Sequence, residues 1–494
     1  MKLALDLATA PVLGVLILWA TTSIDGGVVR DGIVGDPASI QPFSVVILVF
    51  ALAYICISID VTGFFAYVAF QVAKRGGASG TSLFRNLYIL STIMTIFTSN
   101  DVVVLTVTPI VCYLTAETKT DPTSYLFSTF IACNIASMAL YIGNPTNIIV
   151  AQAYDINFLQ YSAWMILPTI AGLLTAYILC YYTLRSLIPP TIPPPPAEAE
   201  ERYKVERKWD AVFGCAVLGV CLVALMVVPL FAHVAVWILT APFAGVMLVK
   251  DDVEMEAVPA VASYSDRGVL TRSASRSRIH HTPPPAHTPP HHDSATSLKD
   301  SSLHPPTSTT HLHMPPTGPT TSSSTHRPPP TTPEILLRLP YPLIPFCFGM
   351  FILCEAFSHT GWVALLARAL AHTSAGGHLI PIVFITGAVT TLACNVMNNL
   401  PMAILFARAE DHHAHVDALR RGGMFALIVG SNLGANLLFI GSLAGLMWSQ
   451  LLEKRGVRVS QGMFLRKCVR ITPVVVVACC AVLCAELAVM GFYV

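Results

Sequence analysis

Apolar stretches recur along this chain near residues 4–20, 42–73, 87–116, 122–153, 158–188, 209–231, 233–250, 339–372, 377–410, 420–452 and 468–493. A helix that crosses a bilayer needs about 20 predominantly apolar residues, and the runs 42–58, 210–230 and 473–492 come close to that length. Lipid offers the backbone no hydrogen-bond partner, so helices are the default there, and a broken helix survives only inside protein or beside water. Several blocks are too long for one straight helix, or carry a polar break near their middle. The pattern predicts an all-α polytopic membrane protein with about 10–12 membrane segments.

The polar breaks come in pairs. Asn100 in TIFTSNDVVVLTVTP and Asn398 in CNVMNNLPMAIL lie 298 positions apart. The same offset joins Asn134 to Asn432, Gly143 to Gly441, Cys56 to Cys354, Thr62 to Thr360 and Gly63 to Gly361. No insertion disturbs it from Cys56 to Gly143. Chance similarity between apolar segments produces shared Leu and Val, not shared Asn and Gly in one register. Paired apolar segments interrupted by Gly, Pro and polar residues, in two halves of a chain, point to the binding site of a secondary transporter. The expected architecture is two inverted repeats, each with a re-entrant hairpin and a broken helix.

Between the halves the composition changes. Residues 1–188 form the first repeat, 189–208 a short Pro-rich linker, 209–250 connecting membrane helices and 339–494 the second repeat. Residues 251–338 are rich in Pro, Ser, Thr and His, with almost no apolar periodicity, and are expected to be a disordered cytoplasmic linker. Its nine histidines between His280 and His326 are irregularly spaced. That favours a low-complexity spacer over a metal site, so no metal ligand is assigned. Basic residues set orientation. Lys74, Arg75 and Arg85 form one cluster. Arg202, Lys204, Arg207 and Lys208 form another, and Lys454, Arg455, Arg458, Arg466 and Lys467 a third. With these inside, the hairpin at 87–116 enters from the cytoplasm and its counterpart at 377–410 from the opposite side. Arg408, Arg420 and Arg421 fall on the outer side and oppose this scheme locally.

Composition narrows the function. Of 494 residues 54% are hydrophobic and 12% charged, about half the charged share of a soluble domain, and mean hydropathy is +0.64. The net charge of +1 carries no message about partners, and no basic cluster suggests nucleic acid. The 13 cysteines are scattered, mostly in apolar helices and without a CxxC pair, as helix-packing residues would be. Residues 3–20 lack a clear cleavage site and suggest a first helix rather than a removable signal. Gly77-Ala78-Ser79-Gly80 matches the GxSG of intramembrane serine proteases in letters, but lies in a polar loop without a base. There is no HExxH, P-loop or ABC-type ATPase signature. An enzyme is not expected, nor any cofactor, and transport would draw on an H⁺ or Na⁺ gradient or be passive.

The breaks carry the candidate chemistry. Ser99, Asn100 and Asp101 start a helix inside the membrane region and cap its exposed N–H groups. Such an N-terminus suits an anion or an oxygen-rich neutral solute. A carboxylate at that depth is costly and marks an ion or proton path by default, which favours that role for Asp101 over a plain N-cap. Asn398 and Asn399 repeat the device without a charge. Gly143, Asn144, Thr146 and Asn147, with Pro145, and Gly441 with Ser442, stop their helices. The expected result is freed carbonyls that suit Na⁺ or a hydroxylated solute. Asp60 and Glu355, beside the repeated Thr-Gly, are proton-relay or interfacial residues.

The segments DVTGFF (60–65), NDVVVLTVTPIV (100–111), NPTNI (144–148), NNLP (398–401) and IGSLAGLMW (440–448) together resemble the arsenical pump membrane protein family. This is the ArsB/NhaD group of the ion transporter superfamily, which also holds citrate and dicarboxylate carriers. The resemblance spans nearly the whole chain except the long linker. It implies a substrate site between two hairpin tips, with Asn100, Asp101, Asn144, Thr146 and Asn147 as one half-site. Asn398, Asn399, Gly441 and Ser442 form the other. It implies efflux of arsenite or antimonite in exchange for protons, with a soluble ATPase partner in some members. Silicic acid would use the same donors and acceptors. A Na⁺/H⁺ antiporter, a Na⁺-coupled citrate or dicarboxylate transporter, and a metal-sensing membrane scaffold acting through the His-rich linker are the competing classes. A multivalent carboxylate would need more cationic groups or helix N-termini than the sequence displays. Where arsenite pumps tend to carry an acidic residue and a Pro/Lys pair, this chain has Ser431-Asn432-Leu433-Gly434-Ala435-Asn436. The expected setting is multi-pass in the plasma or vacuolar membrane; a homodimer is compatible with this class.

Overall fold

The computed structural model describes residues 9–35, 40–77, 79–193, 203–205, 207–232, 234–267, 332–373, 378–411 and 417–490. One unit comprises Met1–Val253 and Pro330–Val494, and a second Glu254–Pro329. Of the second, the described part is the end of one helix. The linker histidines and residue 78 of the GxSG match lie outside the described residues.

The described residues form helices and short 3-10 turns, without a strand. The first repeat contains α1 (Thr9–Ala20), α2 (Gly26–Val34), α3 (Pro42–Val61), α4 (Phe64–Arg75), α5 (Gly80–Phe97), α6 (Asn100–Glu117), α7 (Thr123–Ala136), α8 (Pro145–Ala153) and α9 (Phe158–Leu184). Connecting helices follow: α10 (Lys208–Val227), α11 (Val236–Arg267) and α12 (Thr332–Arg338). The last two run into the two ends of the 251–338 segment. The second repeat contains α13 (Leu343–His359), α14 (Trp362–Thr373), α15 (Leu379–Met397), α16 (Asn399–Asp411), α17 (Asp417–Leu433), α18 (Leu443–Lys454), α19 (Gln461–Cys468) and α20 (Thr472–Val489).

Six helices among the described residues are long and apolar enough to cross a membrane, or seven if α13 and α14, bent by 78°, form one span. The apolar blocks outnumber these full-length spans because the breaks divide several blocks. Block 122–153, for example, becomes α7 of 14 residues, a 3-10 turn at Tyr141–Gly143 and α8 of 9 residues. Each piece alone is too short to span. This is an all-α, multi-pass membrane fold.

The 298-residue register survives in three dimensions. Shifted by the offset, α4 coincides with α14 end for end, and the 3-10 turn Tyr141–Gly143 with Phe439–Gly441; α8 and α18 begin at matching positions. Gly63 and Gly361, which end the helices before α4 and α14, have φ of +80° and +82°. A side chain is disfavoured in that left-handed conformation, which gives the repeated glycine its physical reason.

The matching helices α7 and α17 lie in the interior. Every residue of α7 from Ser124 to Ala136 is buried, as is α17 from Gly422 to Leu433. Buried on all sides, the polar side chains these helices carry must find partners inside the bundle. Aromatic packing then fixes the broken helix α18 against the first repeat. Trp448 stacks on Phe130 with ring centroids 4.6 Å apart, and Phe464 meets Phe127 edge-on at 5.0 Å. Such pairs contribute about 0.5–1.5 kcal/mol beyond the area they bury. All 13 cysteines are free, eleven of them fully buried.

Candidate functional site

Both hairpin tips and both broken helices open onto one pocket. Its lining comprises Asn100 and Asp101, Asn144 and Pro145, Asn398, Asn399 and Leu400, Ser442, Leu443 and Ala444, with Leu343 and Phe346 of α13. No lysine, arginine or histidine is among these residues. What the sequence presents as two distant half-sites is one cavity.

Four helices, α6, α8, α16 and α18, begin at its wall. Ser99 caps α6, its hydroxyl accepting from the Val102 amide at 3.4 Å. The Asn144 carboxamide oxygen accepts from Thr146 N at 3.1 Å and caps α8. Ser442 accepts from Gly445 N at 3.0 Å and caps α18. Asn398 Oδ1 accepts from Leu400 N at 3.4 Å at the start of α16. Each N-terminus contributes partial positive charge and free N–H groups. The scarcity of helix N-termini expected from the sequence is therefore corrected. The expected freed carbonyls are also corrected, since side chains occupy them. Asn147 Nδ2 donates to the carbonyls of Ser137 at 2.8 Å and Leu140 at 3.3 Å, and Asn398 Nδ2 to that of Ile440 at 3.3 Å. The short runs after Gly143 and Gly441 refold at once into α8 and α18, so it is their N-termini that face the cavity.

The two tips are not built alike, although Asn100 and Asn398 match in register. Helix α6 starts at Asn100, whereas α16 starts one position later, at Asn399. Ser99 takes the cap in the first hairpin and Asn398 in the second. Asn398 has φ of +72° and ψ of +155°, a backbone conformation that residues other than glycine rarely adopt. Asn100 is thereby released for tertiary work. Its Nδ2 donates to Asn134 Oδ1 at 3.2 Å, and its Oδ1 accepts from the Asp101 amide at 3.0 Å. Since Ser99 is the cap, Asp101 is not. It lies in the first turn, half-buried and lining the pocket, and no described residue bonds to its carboxylate.

Buried carboxamides connect the two repeats. Asn134 Nδ2 donates to Asn436 Oδ1 at 2.9 Å. Asn432 Oδ1 accepts from Asn144 Nδ2 and from the Ser137 hydroxyl, each at 2.9 Å, while Asn432 Nδ2 donates to Asn147 Oδ1 at 2.8 Å. Ser431 Oγ bonds to Thr146 Oγ1 at 3.3 Å. Thr146 and Asn147 are fully buried by these partners and are absent from the pocket wall. Gly143 and Gly441 are absent from it too. A Cβ on Gly143 would lie 2.3 Å from the Ser137 carbonyl oxygen, so that glycine permits a close backbone approach rather than touching a ligand. The sequence presents Asn432 only as a repeat marker, and Asn436 carries no repeat partner or motif that marks it as a site residue. Both lie in the run SNLGAN at 431–436, the stretch in which the sequence departs from the arsenite-pump pattern.

Asp60 and Glu355 lie outside the pocket lining. Asp60 Oδ1 accepts from Thr106 Oγ1 at 2.8 Å, and its other oxygen is 3.8 Å from Arg338 Nη1. Glu355 Oε2 accepts from Arg408 Nη1 at 2.6 Å. Among the described residues no group of three or more His, Cys, Asp or Glu side chains is placed to hold a metal ion.

Duplicated broken helices around a polar cavity inside an apolar bundle define a membrane transporter. The citrate transporter family profile matches residues 2–265, and the arsenical pump membrane protein profile matches 323–485. The arsenical pump membrane protein of Escherichia coli is 22% identical over 424 residues, 84% of this chain and 80% of that protein. The putative arsenical pump membrane protein of Bacillus subtilis is 22% identical over 434 residues, 87% of this chain and 84% of its own length. A putative transporter arsB of Dictyostelium discoideum is 35% identical over 105 residues, 21% of this chain and 19% of that protein. The chain belongs to the arsenical pump membrane protein family, in the group that also includes the citrate transporters.

Proposed function

We propose that this chain exports a small neutral oxyacid, such as arsenite, antimonite or silicic acid, in exchange for protons. The observation that carries the reading is a pocket with four helix N-termini around one unpaired carboxylate and no basic side chain in its wall. Backbone N–H groups at helix starts donate to hydroxyl oxygens. Ionised Asp101 accepts a hydrogen bond from a substrate hydroxyl; once protonated, it loses that capacity on the protonated oxygen. Proton and substrate then compete for one carboxylate, which is the logic of antiport. Asn100 and Asn144, held by their bonds to Asn134 and Asn432, supply oriented amides. The plasma membrane is the setting this reading favours, with the vacuolar membrane as the alternative.

A second reading has its own support. Four helix N-termini also suit a carboxylate, and the citrate transporter profile covers the first half. Purified protein in lipid vesicles separates the two. Under an imposed pH gradient, arsenite or silicic acid is expected to move, and citrate with Na⁺ is not. Citrate uptake driven by Na⁺, without oxyacid flux, would overturn the proposal in favour of the carboxylate carrier.

A further inference from the structure

Two acids that the sequence marks as relay candidates share an arrangement that suggests another role. Asp60 lies on α3 and Glu355 on α13, the matching helices that end at the left-handed glycines Gly63 and Gly361. Each bonds across to the outgoing helix of its own hairpin: Asp60 to Thr106 on α6 at 2.8 Å, Glu355 to Arg408 on α16 at 2.6 Å. Neither contact follows from the 298-residue register, since Asp60 corresponds to Ser358 and Glu355 to Ile57. The two repeats thus make the same helix-to-hairpin contact with unrelated residues. Thr106 lies five residues past Asp101, and Arg408 nine past Asn399. At 1.5 Å per residue these contacts sit roughly 8 and 13 Å along the helices from the pocket.

We propose that Glu355 and Arg408, with Asp60 and Thr106 as their counterpart, are positioning residues that anchor the hairpin helices and so hold the two tips at the pocket. Glu355 is engaged by a charge-assisted bond, the stronger kind, and a partner left alone in a largely buried place would carry an uncompensated charge. The first contact uses a neutral hydroxyl. The Asp60 charge there faces Arg338, on the helix that re-enters the fold after the long insert. Arg408, which as a loop charge opposed the orientation scheme, is committed to this ion pair. The assignment of the tips to a substrate pocket rests on the transport reading; the anchoring of the helices does not.

Hydrogen exchange of the full chain in lipid nanodiscs tests the second anchor without a substrate. Glu355→Gln and Arg408→Gln are each expected to speed exchange across residues 399–409 by roughly tenfold. The swapped pair Glu355→Arg/Arg408→Glu should return it to within about twofold of the parent. Should the swap fail to fold, the double variant Glu355→Gln/Arg408→Gln takes its place. Exchange no faster than in the faster single variant supports the anchor, and additive acceleration overturns it. Unchanged exchange in both single variants also overturns it. Arsenite counterflow in vesicles gives the functional arm. The single variants should lose maximal rate at little change in KM, and the swap should restore it. A swap that restores exchange yet stays inactive would make Glu355 a proton carrier and overturn its purely positional role. If the parent chain moves no arsenite, the oxyacid reading fails while the exchange result still decides the anchor.

Discussion

Asp101 is the residue on which ion coupling turns. It is half-buried at the pocket wall and no described residue bonds to its carboxylate, while Asn100, Asn144 and Asn398 in the same wall are held by partners. Asp101→Asn preserves size and polarity but cannot ionise. Flux driven by a pH gradient is expected to fall at least about tenfold, while substrate counterflow, which needs no net proton movement, persists. Unchanged gradient-driven flux would remove Asp101 from the coupling step. Asn432 makes the opposite case. Asn432→Ala leaves Asn144 Nδ2, the Ser137 hydroxyl and Asn147 Oδ1 short of a buried partner, at about 1–3 kcal/mol for each group left unsatisfied. Thermal melting in detergent should drop by several degrees, and substrate affinity should weaken because Asn144 loses its orientation. Sequence spacing made Asp101 visible, since a charge inside an apolar run is conspicuous. It made Asn432 visible only as a repeat marker, because a hydrogen bond to a residue 288 positions away has no local signature.

At the scale of elements, the breaks were legible and their polarity was not. Thr-Gly before α4 and α14, and Gly143 and Gly441 before α8 and α18, lie where the helices stop. Gly63 and Gly361 have open space where a Cβ would go, so substitution there acts through the backbone alone. Gly63→Ala and Gly361→Ala should each cost about 1–2 kcal/mol, measured as a lower melting temperature with substrate affinity kept. Ser99→Ala removes the cap of α6 and should cost about 0.5–2 kcal/mol. Its flux should suffer more than that of either glycine variant, because the lost cap sits at the cavity. Two tips with asparagine in register begin their helices one residue apart. Which residue caps is settled by competition between local caps and tertiary partners: Asn100 bonds to Asn134, and Ser99 is left with the cap.

At the scale of the whole molecule, the family profiles stop at residue 265 on one side of the insert and start at 323 on the other. The insert is flanked by the described helices α11, which ends at Arg267, and α12, which starts at Thr332. Replacing residues 268–331 with a short flexible linker is expected to leave flux and melting within about twofold of the parent, as loop length costs little stability. Loss of all flux in that variant, with melting unchanged, would tie transport to the His-rich segment and revive the scaffold reading. Two of the arginines that oppose the orientation scheme are held within the fold: Arg408 pairs with Glu355, and the Arg420 guanidinium stands 5.1 Å from the Tyr154 ring centroid.

Apolar length, Gly and Pro punctuation and the 298-residue register determined by themselves the membrane class, the duplication and the pairing of hairpins with broken helices. These are local or periodic properties, readable one segment at a time. Tertiary structure alone decided that the tips share one cavity, that helix N-termini rather than carbonyls line it, and that Thr146 and Asn147 lock the two repeats together instead of facing the solute. Buried donors and acceptors must find partners, and in this fold the partners come from the other half of the chain.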